Sequence, residues 1–133
     1  MAWMTILGLD WKGGRFAHPL DIVDVPHKPG VFKLHARRGS GEWEVFYVGQ
    51  AQNLYSILLA YLGTIVEGDP QAAGINACAK ARVEADEVAY SYAVVEDETE
   101  RQGCLRSLYE YFRPVCNSPE QIPAVDNVAC NPY

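Results

Sequence analysis

Residues 29–62 constrain the fold most, because they combine two strand-like runs with a helix that carries its own start signal. Residues 30–34 alternate apolar and polar side chains, and residues 43–48 are rich in β-branched and aromatic side chains. The segment between the two runs is polar and contains Gly39 and Gly41, so it predicts a flexible connection. We therefore expect an antiparallel β-hairpin with a long loop.

A helix is expected directly after this hairpin. Asn53 is a favourable N-cap, and the apolar residues that follow predict a helix over residues 54–66. Asp69-Pro70 is a typical helix start and predicts a second helix over residues 70–84, because proline suits the first turn. Its inward positions are Ala72, Ile75, Ala79 and Val83.

The other segments complete an α+β pattern. Residues 88–95 predict a third strand, and residues 98–112 a last helix that Pro114 stops. Near the amino terminus, residues 3–9 are strand-like, residues 12–15 predict a turn because of their two glycines, and residues 16–25 predict a short helix or an irregular extension. We expect a small antiparallel three-stranded central sheet flanked by helices.

The same segments resemble one nuclease superfamily. Gly30-Val31-Phe32, Tyr47-Val48-Gly49 and the helix start at Asn53-Leu54 resemble the GIY-YIG nucleases, whose two tripeptides lie on adjacent strands before a helix. The late helix followed by Pro114 and Asn117 is similar to the family's closing Pro-x-x-Asn. The resemblance implies a GIY-YIG-like domain over residues 28–117, an amino-terminal extension (1–27) and a carboxy-terminal tail (118–133) within one compact unit.

The resemblance also implies that the catalytic residues are missing. In the family, a tyrosine from each tripeptide, an arginine on the first helix and a glutamate on the late helix form the site, and the glutamate holds a divalent metal. Tyr47 matches the second tyrosine, but Phe32 replaces the first and Gln50 stands where many members have lysine. Ile57 occupies the arginine position and Leu105 the glutamate position. We therefore expect no catalysis and no metal, with Mg²⁺ relevant only if another ligand replaces the glutamate.

The apolar residues at the positions of the family's catalytic site have two interpretations. The first helix carries an apolar stripe wider than one sheet needs, which favours an interface with another chain. Simple infill of the core is the other interpretation and the more frequent case, because apolar residues on a helix are usually core. The residues expected to converge are Phe32, Tyr47, Ile57 and Leu105, and the candidate interface comprises Phe32, Ile57, Leu59, Tyr61 and Leu105.

Charge argues against tight binding to nucleic acid. The 133 residues include 11 basic and 17 acidic side chains, a net charge of −6, and phosphate binding requires several cations together. Candidate contacts are confined to Lys28, Lys33, Arg37 and Arg38. His18, His27 and His35 lack metal-ligand spacing.

The four cysteines predict no zinc site, because their spacing lacks the usual close pairs. Cys104 is expected to be a buried free thiol, whereas Cys116 and Cys130 meet only if the tail folds back. No run is long enough for a membrane span, so a cytoplasmic location with reduced thiols is expected. The tail either drapes over the core or docks on a partner.

Two functions are compatible with these features. The first is a catalytically inactive GIY-YIG-like domain that acts as a structural subunit or binds a protein partner or a second copy of itself. The alternative is a divalent-metal-dependent DNA endonuclease or DNA-binding protein with a non-standard active site. Metal-dependent cleavage distinguishes the two.

Overall fold

The computed structural model describes residues 6–63 and 75–133, which form an antiparallel sheet with helices on both faces. The sheet has four strands in the order β1-β4-β2-β3. Their bounds are β1 Lys12–Arg15, β2 Gly30–Arg37, β3 Glu44–Ala51 and β4 Glu87–Val94. The helices are α1 Leu54–Tyr61, α2 Ala77–Ala85 and α3 Glu98–Phe112, with short 3₁₀ helices at Pro19–Ile22 and Pro119–Gln121. The predicted α+β class and central hairpin are confirmed.

The first strand corrects the prediction of a turn over residues 12–15. Lys12–Arg15 pairs antiparallel with β4, so the sheet has four strands rather than three. Gly13 explains the error: a Cβ atom there would lie 2.0 Å from the carbonyl oxygen of Tyr90. The glycine serves close strand approach instead of a turn.

The two faces of the sheet bury separate cores. One face packs against α1, α2 and the first 3₁₀ helix, and its buried side chains include Phe16, Ile22, Phe32, Leu34, Phe46, Leu54, Leu58 and Tyr61. The opposite face packs against α3 and buries Val31, Val48, Ala93, Val95, Cys104, Leu105 and Leu108. Strand β2 supplies both cores because successive side chains point to opposite faces.

The helix caps follow the sequence signals in two of three cases. The Asn53 side chain accepts a hydrogen bond from the Ser56 amide at 3.0 Å, so α1 begins where predicted. Helix α3 has the predicted bounds and is capped by Asp97. The second helix begins later than predicted, at Ala77, because Asn76 caps it through a 3.0 Å bond from the Ala79 amide.

Parts of two helix predictions lie outside the described residues. These are the end of the first predicted helix (residues 64–66) and the start of the second (residues 70–74), including Ala72. Ile75 packs against the core but precedes α2, whereas Ala79 is buried within it.

All four cysteines form disulfides, which corrects the expectation of reduced thiols. Cys78 pairs with Cys116 and Cys104 with Cys130, with Cα–Cα distances of 5.3 and 5.8 Å. The buried Cys104 is therefore not a free thiol, and Cys116 does not pair with Cys130. Spacing gave no indication of these pairs, because each joins a helix to a segment that returns from elsewhere in the fold.

The carboxy-terminal tail lies on its own chain. It crosses α3, where Ser107 donates a hydrogen bond to the Val128 carbonyl oxygen at 2.8 Å. It then runs beside the amino-terminal segment: Leu7 and Cys130 form an isolated parallel bridge, and the Asn131 amide side chain bonds to both the amide and the carbonyl of Leu9 at 2.6 and 3.0 Å. Of the strand expected over residues 3–9, residues 3–5 lie outside the described part and Leu7 makes only this bridge.

None of the helices within residues 6–63 and 75–133 combines the length and the apolar character needed to cross a bilayer.

The disulfide assignment predicts that the folded protein has no reactive thiol. Alkylation with iodoacetamide under denaturing, non-reducing conditions should modify no cysteine, and prior reduction should expose four. The Cys104→Ala/Cys130→Ala double variant should lose about 3 kcal/mol of unfolding free energy in urea, because the closed loop restricts the unfolded chain. The Cys78→Ala/Cys116→Ala variant tests the other disulfide and should lose a similar amount. Alkylation of Cys104 without reduction would contradict the assignment.

Candidate active-site cleft

A cleft that several of the candidate residues line lies at the outer edge of β3. Its volume is about 300 Å³, and Tyr47, Gln50, Leu105 and Asn117 line it. The other lining residues are Val48, Gly49, Ile75, Asn76, Gln121 and Ile122. Three of the five candidate positions, namely Tyr47, Gln50 and Leu105, therefore line the same cleft.

Asn117 holds the edge strand that forms this cleft. Its side-chain oxygen accepts a hydrogen bond from the Val48 amide at 2.9 Å, and its side-chain nitrogen donates to the Val48 carbonyl oxygen at 2.9 Å. One amide group thus satisfies both backbone groups of an edge residue, as a neighbouring strand would. The Pro-x-x-Asn anchor has a structural role in this chain.

Tyr47 is partly buried: it lines the cleft and also packs against two buried aromatic rings. Its ring centroid lies 5.9 Å from that of Phe32 and 5.9 Å from that of Tyr61. Its hydroxyl group hydrogen-bonds to the Tyr61 hydroxyl, which also accepts a 2.9 Å bond from the Asn76 amide. Burial raises the pKa of Tyr47 and of Tyr61, so neither phenol ionises near neutral pH to act as a base.

The expected convergence of four residues is wrong for Leu105, because Phe32, Tyr47 and Ile57 share one core and Leu105 belongs to the other. Phe32 and Ile57 are buried between the sheet and α1, whereas Leu105 lies on the opposite face in the core beneath α3. The sheet separates the two groups because Phe32 and Val31 point to opposite sides of β2. Only Tyr47 and Leu105 reach the common cleft.

Infill of the core, rather than an exposed interface, explains the apolar stripe on α1. Phe32, Ile57, Tyr61 and Leu105 are 1, 5, 0 and 3% exposed, and Leu59 is half-buried against the same core as Ile57. The predicted interface at these five residues is therefore wrong. Helix α1 needs a wide apolar surface because it packs against the sheet, α2 and the first 3₁₀ helix together.

A buried cation that the sequence analysis missed lies behind the cleft. Arg101, in the first turn of α3, is 4% exposed, and its Nε donates to Gln50 Oε1 at 3.3 Å. Its guanidinium also donates to the carbonyl oxygens of Val95 and Glu96 at 3.2 and 3.3 Å. None of the ion pairs found among the described residues includes Arg101.

The position of Arg101 explains how it is tolerated. A cation at a helix amino terminus opposes the helix dipole, but two backbone carbonyls and the nearby Glu98 and Glu100 offset this cost. The expected arginine position was on α1, so the sequence comparison gave no signal for one on α3. Arg101 ties the start of α3 to Gln50 on β3.

The cleft does not fit a divalent metal. Its lining contains tyrosine, amide and apolar side chains but no carboxylate, imidazole or thiol. Across residues 6–63 and 75–133, no group of three histidine, cysteine or acidic side chains is arranged to hold an ion. Hard cations require several oxygen ligands, usually with carboxylates among them. Metal-assisted hydrolysis therefore has no anchor in this cleft.

The candidate nucleic-acid contacts do not form a basic surface. Lys33 is 2% exposed, which removes it from the candidates: its Nζ donates to the Pro132 carbonyl oxygen and lies 4.0 Å from the Trp11 ring centroid. Burial lowers the pKa of Lys33 to about 8. Arg37 bonds Glu87 with two nitrogens at 3.2 Å each, and Arg38 lies 3.6 Å from Asp86. Of the four, only Lys28 is an exposed cation outside these contacts.

This chain has the GIY-YIG fold. The fold consists of a strand hairpin, a capped helix and a late helix that an asparagine ties back to the hairpin. Solved structures of the GIY-YIG N-terminal endonuclease domain of UvrC from Thermotoga maritima are similar to this chain. The magnesium-bound form is 24% identical with a TM-score of 0.50, covering 73% of this chain and 91% of that one. A point mutant bound to its catalytic divalent cation is 23% identical with a TM-score of 0.50, covering 73% and 90%. No family model and no curated protein matches the chain.

The burial of Ile57 predicts a severe effect of charge at this position. Ile57→Asp should lower the unfolding free energy by roughly 3 to 5 kcal/mol, because it removes apolar contacts and buries an unpaired carboxylate. Urea denaturation followed by circular dichroism measures the loss. Leu20→Asp is the matched control: Leu20 is 71% exposed, so the change should be below about 0.5 kcal/mol. A wild-type midpoint for Ile57→Asp would restore the interface interpretation.

Proposed function

We propose that this chain is a GIY-YIG-like domain without nuclease activity that serves as a structural or protein-interaction module. The observation that carries the proposal is the neutral lining of the cleft, where Leu105 stands at the family's glutamate position. Without a carboxylate at that position, the site lacks the ligand that the family uses for its metal ion.

The other replacements act in the same direction. Ile57, at the family's arginine position, is buried in the core and is turned away from the cleft. Loss of one charge-stabilising donor typically costs on the order of 10² to 10³ in rate, and loss of the metal anchor costs more. The hydrogen-bonded Tyr47 hydroxyl does not compensate for these losses.

One observation favours the alternative of a nuclease with a non-standard site. Arg101 places a cation beside Gln50, so positive charge has not been lost entirely from the neighbourhood. Its donors are directed at Gln50 and at two backbone carbonyl oxygens, and this arrangement supports a structural role. We therefore retain the non-catalytic function.

The interaction role requires a surface other than the old site. The exposed apolar side chains include Tyr111 at the end of α3 and Tyr133 in the tail, which are 60 and 73% exposed. Their rings meet edge to face with centroids 6.1 Å apart. Exposed aromatic groups are enriched at protein interfaces, so we propose this tyrosine pair as the contact with a partner protein or a second copy of the chain.

A cytoplasmic location stays a prediction, and the disulfides count against it. Disulfides persist mainly in oxidising compartments, and both bridges join segments distant in sequence. Counting free thiols in protein isolated under alkylating conditions from its native source tests the location.

The absence of catalysis is tested by plasmid nicking with Mg²⁺ or Mn²⁺. We expect no conversion of supercoiled DNA above the background of buffer alone, because the lining of the cleft has no carboxylate, imidazole or thiol to hold a metal ion. A magnesium-dependent endonuclease run in parallel verifies the assay. Metal-dependent nicking by the chain that disappears in Tyr47→Phe would overturn the proposal.

The interaction role predicts self-association or partner capture that depends on the tyrosine pair. In sedimentation or partner pull-down, Tyr111→Ser should weaken the association by about tenfold or more, since an aromatic anchor contributes more than 1 kcal/mol to binding. Leu20→Ser is the control, because Leu20 is equally exposed but lies on the first 3₁₀ helix. Equal losses in both variants would contradict a specific contact.

A further inference from the structure

A second cavity lies on the face of the sheet that carries α3, away from the cleft at β3. Its volume is about 620 Å³, and it shares no lining residue with that cleft. The floor comes from three adjacent strands: Gly13 of β1, Ala89 and Ser91 of β4, and His35 of β2. These residues share a face because His35 pairs with Ala89 and Gly13 with Ser91. Three of the four are small, so the floor is open.

The two walls are tryptophan side chains, each held by a cation of β2. Lys33 Nζ lies 4.0 Å from the Trp11 ring centroid, and the Arg37 guanidinium carbon lies 4.6 Å from that of Trp43. Lys33, His35 and Arg37 are alternate residues of one strand and therefore form a row on one face. The indoles cover the two ends of the row, and the cavity lies over His35 between them.

Trp11 is held by a hydrogen bond and a cation, and Trp43 by its cation–π contact with Arg37. Lys33 is held by the Pro132 carbonyl oxygen, and Arg37 by its two bonds to Glu87. The Trp11 indole nitrogen donates to the Asn131 carbonyl oxygen at 2.8 Å. Cation–π contacts and hydrogen bonds thus restrict rotation of the side chains, which lowers the entropy cost of binding between them.

The floor offers a neutral hydrogen-bonding pair. His35 Nε2 and Ser91 Oγ lie 3.0 Å apart. Burial and the neighbouring Lys33 charge lower the pKa of His35 to about 4, so the ring is uncharged at pH 7. A neutral imidazole and a hydroxyl each combine donor and acceptor capacity, and their mutual bond uses only part of it. The floor therefore presents a hydrogen-bonding edge without net charge.

We propose that this cavity binds a small, uncharged, planar heteroaromatic molecule. Two aromatic walls favour a flat ring through stacking, and two polar side chains in the floor suit a ligand with one hydrogen-bonding edge. Lys12, Arg15 and Glu87 also line the cavity, so a saccharide and an anion are the competing ligand classes, and both serve as controls in the experiment below. The backbone of β4 is paired on both sides, so within the sheet an extended peptide would have to pair with the outer edge of β1 and not with the floor of the cavity.

The proposal is independent of the absence of nuclease activity, because the two cavities have no residue in common. It uses Trp11, Trp43, His35 and Ser91, none of which lines the cleft at β3. Failure of either proposal leaves the other unaffected.

The experiment titrates ¹⁵N-labelled protein with quinazolin-4-one, an uncharged bicyclic ring that has an amide-like donor and acceptor edge. We expect saturable shifts at the His35 and Ser91 amides and at the indole NH groups of Trp11 and Trp43. Methyl α-glucoside and benzoate are the saccharide and anion controls, and neither should shift these signals. The proposal would be overturned if a control bound saturably and quinazolin-4-one did not. It would also be overturned if quinazolin-4-one caused no shift up to its solubility limit.

Variants separate the cavity from non-specific aromatic adsorption. Trp43→Ala and His35→Ala should each weaken binding by about tenfold, whereas Trp43→Phe retains a stacking wall and should stay within about threefold. Leu20→Ala removes an exposed apolar side chain outside the cavity and should leave affinity unchanged. Dispersed amide spectra establish that each variant is folded. Unchanged affinity in folded Trp43→Ala and His35→Ala would also overturn the proposal.

Discussion

The alternation of side chains along β2 is the constraint on which the rest of the structure depends. Phe32 and Leu34 point towards α1 and α2, while Val31, Lys33 and His35 point towards the face that carries α3. The strand is central, with β4 on one side and β3 on the other, so hydrogen bonds to both neighbours fix its register. A slip of one residue would expose one core and bury charge in the other. Both cores and both cavities require this register.

The side chains around the cleft at β3 stabilise the domain itself. Asn117 ties the late segment to Val48, and the Tyr47 hydroxyl group is bonded to Tyr61. Leu105 fills the core beneath α3, and Arg101 bonds Gln50 and backbone carbonyls. Each of these residues contributes packing or hydrogen bonds to the domain.

Local signals predicted the elements well where the signal and the structure share a cause. Asn53 caps α1 because its short side chain reaches the Ser56 amide, and that geometry is set within four residues. The glycines of β1 were misinterpreted because Gly13 is required by its close contact with the backbone of Tyr90, which lies far along the chain. The sequence also failed to predict the burial of Arg101, Lys33 and Ile57. The reason is the same, because the residues that surround each of them come from distant segments.

The sequence by itself determined the hairpin, the helix caps, the bounds of α3 and the family resemblance, because these depend on short-range periodicity and on ordered motifs. Only the tertiary structure decided the disulfide pairing, the fourth strand and the side of the sheet on which each candidate residue lies. Cys104 meets Cys130 because the tail returns across α3, and Trp11 reaches Lys33 because the amino-terminal segment runs beside that tail. Contacts between segments so far apart follow from the path of the whole chain, which local residue patterns do not encode.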